Sequence, residues 1–138
     1  MSGGRPVYVL DASVGVKWFK PESGREGALE LQARAAVGEL SLAAPTHFVH
    51  EVLSVVARHY TPRDVVPAWE RITASGIAIL SLSDEVVAEA ARQCETLGCS
   101  FYDALAPACA ALLGATLASA DECAHGDYPG VHLVVAEE

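Results

Sequence analysis

The chain has 138 residues, 51% of them hydrophobic, and a formal net charge of −9. That apolar content excludes a disordered segment, and the length suits one domain with its own core, here taken as residues 1–138. The charge, with nine Lys and Arg scattered along the chain, excludes broad adhesion to nucleic acid or to an anionic membrane, both of which need basic clusters.

No apolar run approaches the roughly 20 residues of a membrane span. The start, "MSGGRPVYVLDAS", has too short an apolar segment after Arg5 for a signal peptide. These features predict a cytoplasmic protein with no membrane partner. Cys94, Cys99, Cys109 and Cys123 form no CxxC pair and no Cys/His zinc spacing. In that compartment they are expected to be reduced thiols.

In chain order, "VYVLD" reads as a short, all-apolar strand covered on both faces. Ser13 is a candidate cap for a helix through "VGVKWF", with Pro21 as its stop. "GREGALELQARAAVG" has helical spacing at Ala28, Leu31 and Ala35, and Gly38 is a plausible end. "LSLAAP" is a second strand, after which Thr46 is expected to cap "HFVHEVLSVVARHY", with Phe48, Val52, Val55 and Val56 on one stripe. "TPRD" at 61–64 has the form of a capping box with Pro at the first helical position. "GIAILSLS" at 76–83 is a third strand, and Ser83 caps "DEVVAEAARQCETLG". "FYDALAPACAALLG" is the next helix. "ATLASAD" is a fourth strand ending on Asp121, and "VHLVV" at 131–135 a fifth. Strands alternate with helices, which predicts an α/β three-layer sandwich around a mostly parallel sheet of about five strands.

In such sheets functional groups collect beyond the carboxyl ends of the strands. Asp11 and Asp121 each close an apolar strand there. Glu51 lies early in the helix after the second strand, and Asp103 in the first turn of the helix before the fourth. The topology therefore permits four carboxylates around one cleft. Gathered like charges must protonate or admit a cation, and none of Asp11, Asp103 and Asp121 has a basic neighbour in sequence. Hard oxygen donors select Mg²⁺ or Mn²⁺ over zinc. Such ions activate water and orient a phosphodiester.

Each acid alone also has an ordinary reading. Asp11 suits a helix cap, Asp103 a first-turn acid favoured by the helix dipole, Asp121 a turn and Glu51 a solvated helix face. Ser13 and Ser119 are not nucleophiles of the Gly-x-Ser-x-Gly type, since that elbow is absent. "HEVLS" is not HExxH, so His47 and His50 read as helix surface. Trp18 and Trp69 read as core or interface anchors rather than base-stacking platforms.

Together, "VLDASVGVKWF", "PTHFVHEVLSVV" and "YDALAPACAALLGATLASAD" resemble the PIN-domain nucleases, most of all the VapC-like toxins of bacterial toxin–antitoxin pairs. The resemblance covers nearly the whole chain. Its most specific part is the block "YDAL…LGATLASAD", with 18 positions from Asp103 to Asp121. It implies a PIN-like fold and a metal-dependent endoribonuclease. Asp11, Glu51, Asp103 and Asp121 would be both catalytic residues and ligands of one or two Mg²⁺ or Mn²⁺ ions. Ser119 stands where the family usually has Thr, and the resemblance implies that its hydroxyl orients a carboxylate or the water at the ion. Ser13 matches a small hydroxyl or amide position. The implied partners are an RNA substrate, a small antitoxin that blocks the cleft and a second copy in a homodimer. Two positions depart from the pattern. Ser54 replaces a frequent Asn three residues after the glutamate. Pro107 removes a donor inside the helix and crowds the carbonyl of Asp103, at about 3 kcal/mol if the helix stays regular. A kink or an irregular first turn is therefore expected. The alternative is a catalytically weak or inactive PIN-like module that only binds or regulates. Receiver-type and haloacid-dehalogenase-type chemistry fit poorly, because the third strand ends in "LSLS" and Ser13 stands where a second Asp is needed.

Overall fold

The computed structural model describes residues 4–135. Five strands, β1 (Val7–Leu10), β2 (Ser41–Pro45), β3 (Ala78–Leu80), β4 (Thr116–Ser119) and β5 (His132–Leu133), form one sheet in the order β3-β2-β1-β4-β5. Every pairing is parallel. The helices are α1 (Ala12–Val16), α2 (Arg25–Ala36), α3 (Thr46–His59), α4 (Val65–Ala74), α5 (Asp84–Leu97), α6 (Phe101–Leu113) and α7 (Glu122–His125). From β1 the chain winds outward to β2 and β3, then crosses back and continues outward through β4 and β5. The winding reverses between β1 and β4, the place where open α/β sheets leave a crevice beyond the strand ends.

The all-apolar strands are covered on both faces, as parallel strands must be. Alternate residues feed two cores. Leu10, Leu42, Ala44 and Ala118 pack with Val14, Trp18, Leu31, Phe48 and Val52 on one side. Val9, Ala43 and Leu117 pack with the small side chains of α6 and with Val86 and Ala90 of α5 on the other. Gly15 sits where α1 meets α3. A Cβ there would overlap the Phe48 ring, so only glycine permits this approach. Trp18 is fully buried, lies edge-on to Phe48 with ring centroids 5.9 Å apart, and donates Nε1–H to the Ala28 carbonyl at 3.0 Å. "VGVKWF" thus lies mostly in the core. Trp69, by contrast, is 44% exposed.

Several local expectations shift. α1 stops at Val16, and its cap is Asp11 rather than Ser13. Thr46 is the first helical residue of α3, and no side chain caps that helix. The Thr61–Asp64 capping box is present but opens a 3-10 turn that runs into α4. The third strand shrinks to three residues at the sheet edge, where Ala78 and Ile79 are exposed. α6 runs unbroken through Pro107. Gly98 and Gly114 end α5 and α6 at φ of 68° and 61°, backbone values glycine adopts at little cost.

Among the described residues no single helix is long and apolar enough to cross a membrane. All four cysteines are free thiols. Burial pushes the Cys109 thiol from its ordinary 9.0 up to about 11. Its protonated state favours the fold below pH 9 and this contribution is lost as pH climbs toward 11. At pH 8 a maleimide is expected to modify exposed Cys123 first and buried Cys109 only on unfolding, read by mass spectrometry of peptides.

Candidate metal centre

Asp11 leaves β1 with extended backbone and donates its N–H to the Ala118 carbonyl at 2.9 Å. Its Oδ2 accepts from the Ser13 N–H at 3.0 Å, which caps α1. Oδ1 has no hydrogen-bond partner among the described residues. Ser13 accepts the Ala120 N–H at 2.9 Å through its own Oγ. Two hydrogen bonds thus tie the turn from β1 into α1 to the end of β4, one between Asp11 and Ala118 within the strand and one between Ser13 and Ala120 just beyond it.

Asp121 is built in the same way. Its Oδ1 accepts from the Ala124 N–H at 3.0 Å and caps α7. Its own N–H donates to Ser119 Oγ at 3.0 Å. Ser119 is fully buried and therefore meets Asp121 through the backbone, with no hydrogen bond to a carboxylate. Asp103 lies in the first turn of α6, whose cap is Ser100, with Oγ accepting the Asp103 N–H at 3.1 Å. Glu51 projects from α3, about half exposed, with His47 Nε2 3.9 Å from its Oε2. His47 also stacks on Tyr102 of α6, centroids 4.6 Å apart, so a ring contact spans the two helices that carry Glu51 and Asp103. His50 stays on the surface and bonds the Thr46 carbonyl. Among the described residues the Ser54 hydroxyl bonds only Arg58, at 3.2 Å.

Asp11, Glu51, Asp103 and Asp121 line one open cavity of about 540 Å³, together with Glu22, Glu122, Lys17 and Cys123. Ser13 is in its wall, and Ser119 is buried and does not line it. Lys17 is a cation that proximity in sequence does not reveal. Its Nζ is held by Glu22 Oε2 at 2.8 Å and by the Ser23 carbonyl at 2.6 Å. Among the described residues no Lys or Arg forms an ion pair with Asp11, Asp103 or Asp121. Six carboxylates and one ammonium therefore face one cavity.

Among the described residues no three of these groups stand at the mutual spacing of a ready-made metal-ligand set. The chemistry of the donors nevertheless fits a hard divalent cation. All are carboxylate oxygens, and the capping carboxylates of Asp11 and Asp121 each commit one oxygen and keep the other. Mutual repulsion of the acids favours an ion that draws them together.

A parallel sheet wound outward from both sides of a switch point, with acids at the ends of the two strands that flank it, defines an α/β protein with an acid-lined cleft. The family model of the PIN domain matches residues 8–124. The chain belongs to the PIN domain family. No protein of curated function shows significant sequence similarity to it. Among solved structures it resembles a toxin–antitoxin complex from Klebsiella pneumoniae (TM-score 0.72, 16% identity, 94% of this chain and 99% of that one). It also resembles VapBC2 from Rickettsia felis bound to a promoter DNA fragment (TM-score 0.67, 19% identity, 92% and 96%). A third is the sarcin–ricin loop cleaving toxin VapC20 of Mycobacterium tuberculosis (TM-score 0.65, 16% identity, 90% and 98%). At these identities the likeness is one of fold.

Proposed function

We propose that this protein is a metal-dependent endoribonuclease and the toxin of a type II toxin–antitoxin pair. One observation carries the reading. Acids from four separate elements face a single cavity at the sheet's switch point, and three of them have no basic partner among the described residues.

Asp11, Glu51, Asp103 and Asp121 would hold one or two Mg²⁺ or Mn²⁺ ions. The ion, when bound, supplies Lewis-acid activation of water and neutralises charge on the scissile phosphate. Asp11 and Asp121 are oriented by their own caps, and Ser13 keeps their loops in register. A carboxylate oxygen left free by its cap is the natural acceptor for the proton of the attacking water. The open cavity suits single-stranded or looped RNA, whose backbone is exposed. A chain of net charge −9 repels that backbone, so productive approach depends on the cation that reverses the local sign.

The fold shared with proteins of toxin–antitoxin complexes supports a small antitoxin as partner, and the proposal includes a homodimer as the working assembly and the cytoplasm as its place. The second reading, a PIN-like module that binds without cutting, is favoured by the absence of a preformed ligand set among the described residues. One experiment separates the two. Purified protein is expected to cut an unstructured RNA with Mg²⁺ or Mn²⁺ and to stop on addition of EDTA. No cleavage together with no Mn²⁺ uptake by calorimetry supports the binding module instead.

A further inference from the structure

Only three polar or charged residues are buried among the described residues: Lys17, Ser119 and His125. Lys17 is accounted for by Glu22 and Ser23. His125 is fully buried at the end of α7, and both of its ring nitrogens are engaged. Nε2 lies 2.6 Å from the backbone carbonyl oxygen of Asp103. A carbonyl oxygen only accepts, so Nε2 carries the hydrogen. In the neutral ring Nδ1 is then an acceptor, and it faces Ser119 Oγ at 2.6 Å. The hydroxyl donates its hydrogen to the imidazole and accepts the Asp121 N–H on its lone pair. Every donor has an acceptor along the line from Asp121 N–H through Ser119 and His125 to Asp103 C=O.

Pro107 explains why the Asp103 carbonyl is there to be taken. In a regular helix that oxygen accepts from the N–H four residues later, and proline has none. His125 supplies the donor from another element. The proline that sequence reasoning flags as a defect is the complement of this histidine.

We propose that His125 is a positioning residue of the acid centre. It ties the first turn of α6 to the turn after β4 and so sets Asp103 against Asp121. Among the described residues its ring nitrogens bond no carboxylate oxygen, so it acts through Ser119 and the Asp103 carbonyl. The inference rests on the metal-centre reading above and deepens it.

The test is Mn²⁺ affinity by isothermal calorimetry alongside thermal melting. His125→Ala is expected to weaken Mn²⁺ binding about 10- to 100-fold, the scale seen when groups supporting metal ligands are lost. His125→Gln, whose amide N–H reaches toward the same carbonyl, is expected to recover most of the affinity. In His125→Ala/Pro107→Ala, residue 107 regains an N–H for the Asp103 carbonyl within α6 itself. That double variant is expected to recover melting temperature and to remain weak for Mn²⁺. If the double variant recovers both, or if folded His125→Ala binds like the wild type, His125 merely satisfies a carbonyl and the proposal is overturned. If His125→Ala fails to fold, His125→Gln is set against His125→Asn, which is one methylene shorter, and equal affinities overturn it. Wild-type protein that takes up no Mn²⁺ instead defeats the metal-centre reading, and this inference falls with it.

Discussion

Asp11→Asn is expected to leave the fold intact and to remove RNA cleavage. The asparagine oxygen still accepts the Ser13 N–H that Asp11 Oδ2 holds at 3.0 Å. Asn and Asp cap helices about equally well, so stability should change by less than about 1 kcal/mol. The charge is what disappears, and with it one of the four anionic contributions to a divalent ion in the proposed mechanism. Cleavage is expected to fall by at least the 10²–10³-fold typical of losing one electrostatic contact in a reacting centre. The measurement is the rate on an unstructured RNA at saturating Mn²⁺, beside a thermal melt. Wild-type rates in a folded Asp11→Asn protein would defeat the proposed mechanism.

Trp18→Ala is the substitution expected to cost most in stability, about 3–5 kcal/mol. The indole is fully buried against Phe48, and its loss leaves a large void and an Ala28 carbonyl without its donor. Measured against a usual total of about 5–15 kcal/mol, this brings the fold near its threshold. A fall in melting temperature of more than about 10 °C is expected. Trp18→Phe keeps most of the apolar contact and forfeits only the indole donor, about 1 kcal/mol. Equal melting temperatures for wild type and Trp18→Ala would show that "VGVKWF" is not core.

The central strands are legible in sequence because burial on both faces leaves continuous apolar runs ending at Asp11 and Asp121. The edge strand is less so: Ala78 and Ile79 are exposed, and the apolar run outlasts the three residues that pair. Asp11 and Ser13 are both good capping residues two positions apart, and only the register of the first helical turn decides between them. The four acids are legible because strand ends and helix starts share one edge of the sheet. How they are held is not. Lys17 finds Glu22 five residues on, beyond a proline, and His125 finds a carbonyl 22 residues back. Neither pairing follows a local periodicity. Pro107 was the one local sign, and a rule confined to a single helix reads it as damage because the replacement donor comes from elsewhere.

Ser13 and Ala120 meet across 107 intervening peptide links. On a translating ribosome the first half of this centre is therefore made long before the second. Until β4 and α7 leave the exit tunnel, β1 lacks one neighbour and the pocket lacks a wall. A chain that ends behind α6 carries Asp11, Glu51 and Asp103 but lacks Asp121 and the loop that Ser13 holds. The order in which the parts emerge thus makes closure of the cavity one of the last events in the making of the chain.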